Sequence, residues 1–194
     1  HDGVAVVPAM GKTTDELVSL ASALNGNPPA REMDRLLSTG EQVSMALLAM
    51  ALEARGYRAM SFTGRQAGIE TDTSHLKSKI TGIDAKRIMD AVDAGIIPVI
   101  AGFQGIDGNG DITTLGRGGS DTTAVAVAWG IGADVCEMEG AAMAQVAYAF
   151  GVPFAVLRSV SDLADGSAPA SFEKFAEESA DKAAKLLLRA VEAL

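Results

Sequence analysis

The chain is poor in the residues that would point to a redox, metal or membrane role. It has a single cysteine, Cys136, in 194 residues. One thiol excludes an internal disulfide framework and a cysteine-based zinc site, and it fits a reducing compartment. Cys136 itself reads as a small buried hydrophobe at a strand end. There are two histidines. His75 has no second histidine at ligand spacing, so no metal site is expected and His75 reads as a surface residue. No apolar run approaches the roughly 20 residues that a membrane-spanning helix needs. The N-terminus has no basic-then-apolar leader, and a cytoplasmic protein is the expectation. Basic residues are scarce too, 16 against 25 acidic ones, for a net charge of −9. That balance disfavours nucleic acid and membrane surfaces as partners but leaves local anion sites untouched. Internal repeats, low-complexity tracts and linkers are also missing.

What is present is an ordinary globular composition, 48% apolar and 21% charged. The length allows one sizeable core or at most two small ones. The apolar run Val4 to Val7 reads as a strand, so close to the first residue that a preceding segment is expected. Thr13 and Glu16 have the spacing of a capping box, for a helix with Leu17, Leu20, Ala21 and Leu24 on its apolar side. From Arg31 a second helix is expected to pause at Ser38-Thr39-Gly40 and resume through Ala54. Its buried stripe would be Val43, Ala46, Leu47, Met50, Ala51 and Ala54. Strands are expected at Tyr57 to Phe62 and Ile96 to Ala101, with weaker candidates at Gln66 to Ile69 and Lys79 to Ile83. Asp84 can cap a short helix that turns Ile88, Met89 and Val92 inward and ends at Gly95. Asp107-Gly108-Asn109-Gly110-Asp111 has the composition of a calcium loop, but it is too short and lacks the closing glutamate, so a hairpin turn is expected.

Further along, the pattern gives a strand at Ala133 to Glu137 and a helix through Met143, Val146, Ala147 and Phe150, closed by Gly151-Val152-Pro153. A strand from Phe154 to Leu157, a polar loop to Ala170 and a final helix capped by Ser171 complete it. This alternation predicts an α/β fold: a three-layer α/β/α sandwich around a mostly parallel central sheet, one domain over residues 1–194. Ligands sit at the carboxyl ends of such strands.

One stretch there concentrates the chemistry, Leu115-Gly116-Arg117-Gly118-Gly119-Ser120-Asp121, which leads into a helix. A glycine-rich loop ending at a helix N-terminus presents free backbone N–H groups and a positive dipole end, which suit phosphate or carboxylate. Gly118 and Gly119 allow close backbone approach, Arg117 offers a planar cationic fork, and Asp121 puts a carboxylate at the mouth. On local sequence alone, Ser120 could equally be an N-cap and Arg117 a solvated charge.

Two segments, AGFQGIDGNGDITTLGRGGSDTTAVAVA and REMDRLLSTGEQVSMALLAMALEARGY, closely resemble the catalytic domain of aspartokinases, in the amino-acid kinase family. The resemblance runs from about Val4 to Cys136. From Glu137 onward the chain departs from it, and MEGAAMAQVAYAFGVPFAVLRSVSDLADGSAPASFEKF instead resembles the C-terminal part of methylthioadenosine/S-adenosylhomocysteine nucleosidases, in the purine nucleoside phosphorylase-like family. The chain reads as a mosaic, with 1–136 from one family and 137–194 from the other, each incomplete.

The first resemblance implies phosphoryl transfer from ATP-Mg to the aspartate side-chain carboxylate. It implies that Arg117 clamps the substrate α-carboxylate while Glu41 and Thr14 hold its amino end. It places Gly118, Gly119 and Ser120 near the phosphoryl acceptor, with Asp121 orienting a catalytic lysine. That lysine belongs to a Lys-x-Gly-Gly strand absent from these residues, as is the nucleotide-binding segment. Pro8 stands where the family usually has Ser. Local spacing alone would make Thr14 part of a helix start and Glu41 a capping-box partner of Ser38.

The second resemblance implies cleavage of an adenine nucleoside. Asp162 would be the acid that makes the purine a good leaving group, Glu139 would grip the ribose hydroxyls, and Met138 and Glu137 would line the site. The expected function is therefore an aspartokinase-like domain that binds aspartate and is catalytically incomplete. The alternatives are an adenine-nucleoside N-glycosidase, which needs no cofactor, and an inactive recombined or designed α/β scaffold. The partner is a small molecule, aspartate or a nucleoside, and a homodimer is left open.

Overall fold

The computed structural model describes residues 3–153, 156, 180, 182–186 and 189. Positions 180, 182–186 and 189 are helical. The start of the final helix at Ser171, most of the strand expected at Phe154 to Leu157 and the loop carrying Asp162 lie outside the described residues. By its internal contacts the chain divides between Cys136 and Glu137 into two compact units, at the point where the two sequence resemblances meet.

In the first unit the pivot is β5 (Ile97–Ala101), whose apolar run is buried because both faces are covered. Strands β1 (Ala5–Val7) and β2 (Ala59–Phe62) flank it, both parallel, with Ala5 opposite Val99 and Phe62 opposite Ile100. Successive side chains of β5 point to opposite sides. Ile100 joins Phe62, Ile69, Ile88 and Val127 in one core cluster. Val99 and Ala101 pack with Met45, beside Leu48 and Leu52, in another. Met45 lies on α2 (Ala30–Glu53), Ile88 on α3 (Lys86–Asp93) and Val127 on α4 (Gly119–Ile131). Helix, sheet and helix therefore stack around one strand, and each fully buried aliphatic side chain contributes about 1.5–3 kcal/mol.

A second sheet runs in the order β4-β3-β6-β7, from β4 (Ile80–Ile83), β3 (Ile69–Thr71), β6 (Gln104–Ile106) and β7 (Ile112–Thr114). Only β3 and β6 pair in parallel. The acidic segment makes the expected hairpin between β6 and β7, its turn closed by the Asp107 carboxylate, which accepts from the N–H groups of Asn109 and Asp111, both at 2.9 Å. Asp84 Oδ1 accepts from Lys86 N at the start of α3, and Gly95 closes that helix in the left-handed region.

Several expectations are corrected. In α1 (Thr13–Leu24) Thr13 is the first helical residue rather than the cap, its hydroxyl donating to Met10 O at 2.8 Å. Leu20 and Leu24 face solvent. Helix α2 does not pause at Ser38-Thr39-Gly40, because Gly40 is the point where the β1–α1 turn packs on it. A Cβ there would stand 3.0 Å from Ala9 Cβ. The buried face of α2 is Asp34, Leu37, Ser38, Glu41, Ser44 and Met45. Val43, Leu47 and Met50 are exposed instead. The polar residues can go inside because they find partners across the interface. Gln104 Nε2 donates to Ser38 O at 2.9 Å, and Thr114 Oγ1 donates to Asp34 at 2.5 Å.

No strand forms over 133–137. Gly132, in the left-handed region, ends α4, and the Glu137 side chain turns to cap α5 (Gly140–Ala149), accepting from the N–H groups of Glu139 and Gly140 at 2.8 Å. Cys136 is accordingly exposed rather than buried.

Candidate functional site

Glu41 and Ser120, two of the predicted substrate residues of the first unit, lie around the carboxyl ends of β1 and β5. Gly102 N donates to Val7 O at 3.0 Å, joining the two strand ends. On one side of that junction the chain passes through Ala9, whose N–H donates to Glu41 Oε1 at 3.2 Å. On the other side Gly102 lies under Ser120, so closely that a Cβ on the glycine would be 2.8 Å from Ser120 Oγ. Glu41, the turn before α1 and the start of α4 are thus linked through a continuous set of contacts.

Glu41 is the most informative of these residues. It sits in the middle of α2, 3% exposed, and Oε2 has no hydrogen-bond partner among the described residues. Burial pushes its carboxyl above the usual glutamate range, opposed by its own backbone N–H and that of Ala9. A half-satisfied buried carboxylate is costly unless a donor or a cation completes it. Ser38 is no capping partner, since its hydroxyl donates to Arg35 O within the same helix.

Helix α4 begins at Gly119, with Gly118 as its N-cap in the left-handed region (φ 74°). Ser120 is therefore a first-turn residue and not the N-cap, while Asp121 lies in that turn, exposed. Arg117 is exposed and makes no ion pair among the described residues. Thr14 is half-buried in the first turn of α1, at the same end of the sheet. Lys12, the N-cap of α1, is exposed there as well.

Two residues that sequence reasoning missed belong beside the glycine loop. Phe103 holds a left-handed φ of 67°, a costly conformation for a bulky residue that commonly marks a functional segment. Its N–H donates to Thr123 Oγ1 at 3.1 Å, its carbonyl accepts from Leu115 N at 2.9 Å, and a Cβ on Gly119 would lie 2.7 Å from its ring. His75 was expected at the surface. It is only 25% exposed in its side chain, with Nδ1 2.7 Å from the fully buried Asp34. No local pattern announces Phe103, and the partner of His75 lies 41 positions away.

In the second unit Glu137 is the helix cap described above, while Met138 and Glu139 are exposed. Among the described residues, Met143, Val146, Ala147, Phe150 and Val152 line an apolar groove. Asp162 lies outside the described residues. Among the described residues no group of three His, Cys, Asp or Glu side chains is placed to hold a metal ion, and no helix is long and apolar enough to cross a membrane.

Comparison with known proteins gives two overlapping matches. Residues 1–138 match the model of the amino acid kinase family, and residues 112–192 that of the phosphorylase superfamily. An aspartokinase of Geobacillus stearothermophilus is 58% identical over 138 residues, 71% of this chain and 34% of the relative. The chain spans 33% to 44% of the length of such curated relatives. Among solved structures, aspartate kinase from Synechocystis is 48% identical with a TM-score of 0.57, the match covering 69% of this chain and 22% of that one. Aspartokinase III of E. coli, in complex with aspartate and ADP, is 28% identical with a TM-score of 0.53, covering 63% of this chain and 28% of that one.

Proposed function

Because this chain belongs to the amino acid kinase family, we propose that its first unit binds free aspartate at the carboxyl ends of β1 and β5. The carrying observation is the buried Glu41 carboxylate, whose Oε2 lacks a partner among the described residues. An α-ammonium group is the donor that would complete it, as a charge-assisted hydrogen bond in a water-poor site. Arg117, exposed on the glycine loop, supplies the fork for the substrate α-carboxylate. Thr14 lies on the amino side, and Gly118 and Ser120 bring backbone N–H groups at the start of α4 to the side-chain carboxylate, beside Gly119, whose N–H is given to Gly116 O at 3.0 Å. The solved E. coli relative holds aspartate and ADP together, which supports a shared site for an amino acid and a nucleotide.

ATP-Mg is the corresponding phosphoryl donor, approaching the N-terminus of α4, with Asp121 orienting a cation near the transferred group. These 194 residues carry no Lys-x-Gly-Gly segment. Residues 112–192 match the phosphorylase superfamily. Removing one positioned electrostatic contact commonly costs about 10²–10³ in rate, so a polypeptide limited to these 194 residues should bind aspartate without efficient turnover. A titration of aspartate followed by NMR tests the binding reading. Arg117→Ala and Glu41→Ala should each weaken affinity about ten- to a hundredfold, and unchanged binding in both would remove the assignment. A hydroxamate assay for aspartyl phosphate should stay at background. Signal that vanishes in Asp121→Ala would mean that Lys12 or another cation has taken the lysine's place.

The match of residues 112–192 to the phosphorylase superfamily favours a second reading, adenine-nucleoside cleavage using Glu139 and Asp162. Release of adenine from methylthioadenosine, abolished by Asp162→Asn, would support it.

A further inference from the structure

We propose that Asp34 and His75 are positioning residues that fix the Arg117 loop in its binding shape; the proposal rests on the reading of residues 116–121 as the substrate loop. Asp34 projects from α2 and is completely buried. Its oxygens accept from Thr114 Oγ1 at 2.5 Å, from Leu76 N at 3.0 Å and from His75 Nδ1 at 2.7 Å. A carboxylate can only accept, so the tautomer assigned to the ring is the one with its proton on Nδ1. These donors come from two segments, the loop 72–79 and the last residue of β7. Ser78 binds the same strand end a second time, its N–H and hydroxyl both donating to Thr114 O at 2.9 Å.

The grip ends against the glycine loop. Leu76 O lies so near Gly116 that a Cβ there would be 3.3 Å away, with Lys77 Cα at 4.0 Å. Leu76 holds a left-handed φ of 64°, a conformation a leucine keeps only when its surroundings enforce it. Two non-glycine residues of this kind, Leu76 and Phe103, thus stand on the two sides of the segment Leu115 to Gly119. Without the ring of His75, Asp34 is left a buried carboxylate short of a donor, and the loop 72–79 loses one of the bonds that keep Leu76 behind Gly116, its own N–H to Asp34 remaining. Arg117 then projects from a loop held at Phe103 but less firmly at Leu76. Pre-organisation of this type is worth affinity without any contact to the ligand.

The test compares the whole chain with His75→Ala and His75→Asn, because the asparagine amide can replace the Nδ1–H donor. Aspartate affinity is read by NMR titration, and hydrogen exchange is read at each backbone amide. The alanine variant should bind about tenfold more weakly and the asparagine variant within about threefold of the parent. Faster exchange should be confined to residues 115–120 in His75→Ala and be reversed in His75→Asn. Parent-like affinity in His75→Ala overturns the proposal while leaving the aspartate reading intact, and so does exchange that quickens evenly over the whole sheet. If the parent itself binds no aspartate, that reading fails and the exchange pattern alone decides. Should His75→Ala not fold, Thr114→Val removes another donor to Asp34 and must give the same local exchange increase, its absence overturning the proposal.

Discussion

Glu41 carries one satisfied oxygen and one with no hydrogen-bond partner among the described residues, in a place almost closed to water. Its carboxyl titrates above the ordinary value of 4.5 because burial disfavours the charged form. Between that ordinary value and the raised one, the folded protein keeps a proton that the unfolded chain releases. Stability is therefore greatest at the acid end of this window and declines as pH rises through it. An ammonium ligand reverses the preference, since it pairs with the ionised form. Aspartate affinity should accordingly rise over the interval in which stability falls, with proton release on binding. Urea unfolding and aspartate titration on a common pH series measure both, and Glu41→Gln should flatten both curves. Equal slopes in parent and variant would mean that another group titrates there.

Helix α4 is seated on the end of β5 with no room to spare. A methyl group at position 102 would lie 2.9 Å from Ser120 Cβ and 3.0 Å from its Cα, so the backbone of α4 must shift to admit it. Gly102→Ala should lower stability by about 1–3 kcal/mol, seen as a lower urea midpoint with an unchanged slope. An unaltered midpoint would mean that the helix start yields freely. This packing also illustrates what could be read from the sequence. Strands β1, β2 and β5, the hairpin after Ile106 and the end of α3 at Gly95 were visible as apolar runs and turn residues. So was the position of the glycine loop before α4. The inner face of α2 was not. Periodicity favours an apolar stripe through Val43, Leu47 and Met50, whereas the helix buries Asp34, Ser38, Glu41 and Ser44. Their partners, such as Thr114 and Gln104, lie 66 to 80 positions away. A buried polar stripe is recognisable only once those donors and acceptors are in place. The same distance hid the role of His75, and the stretch 133–137, which forms no strand, looked like one because apolar content alone does not supply a neighbouring ladder.

At the scale of the molecule, both core clusters are built from the first unit, and the described residues after Glu137 bury only Gly140. We propose that the chain nevertheless unfolds as one cooperative body, with no second core among the described residues to melt separately. Differential scanning calorimetry should give one transition whose calorimetric and van't Hoff enthalpies agree. Two resolved peaks would separate the units thermodynamically. The parallel sheet also places a demand on time. Ala5 pairs with Val99, and Ala59 pairs with Ile97, so neither outer strand has a neighbour until the central one has been made. At about 5–20 residues per second, β1 emerges roughly 5–20 s before its partner. During synthesis the nascent chain must carry an apolar, unzipped ribbon for that interval, and closing so long a loop afterwards makes the sheet a late event in folding.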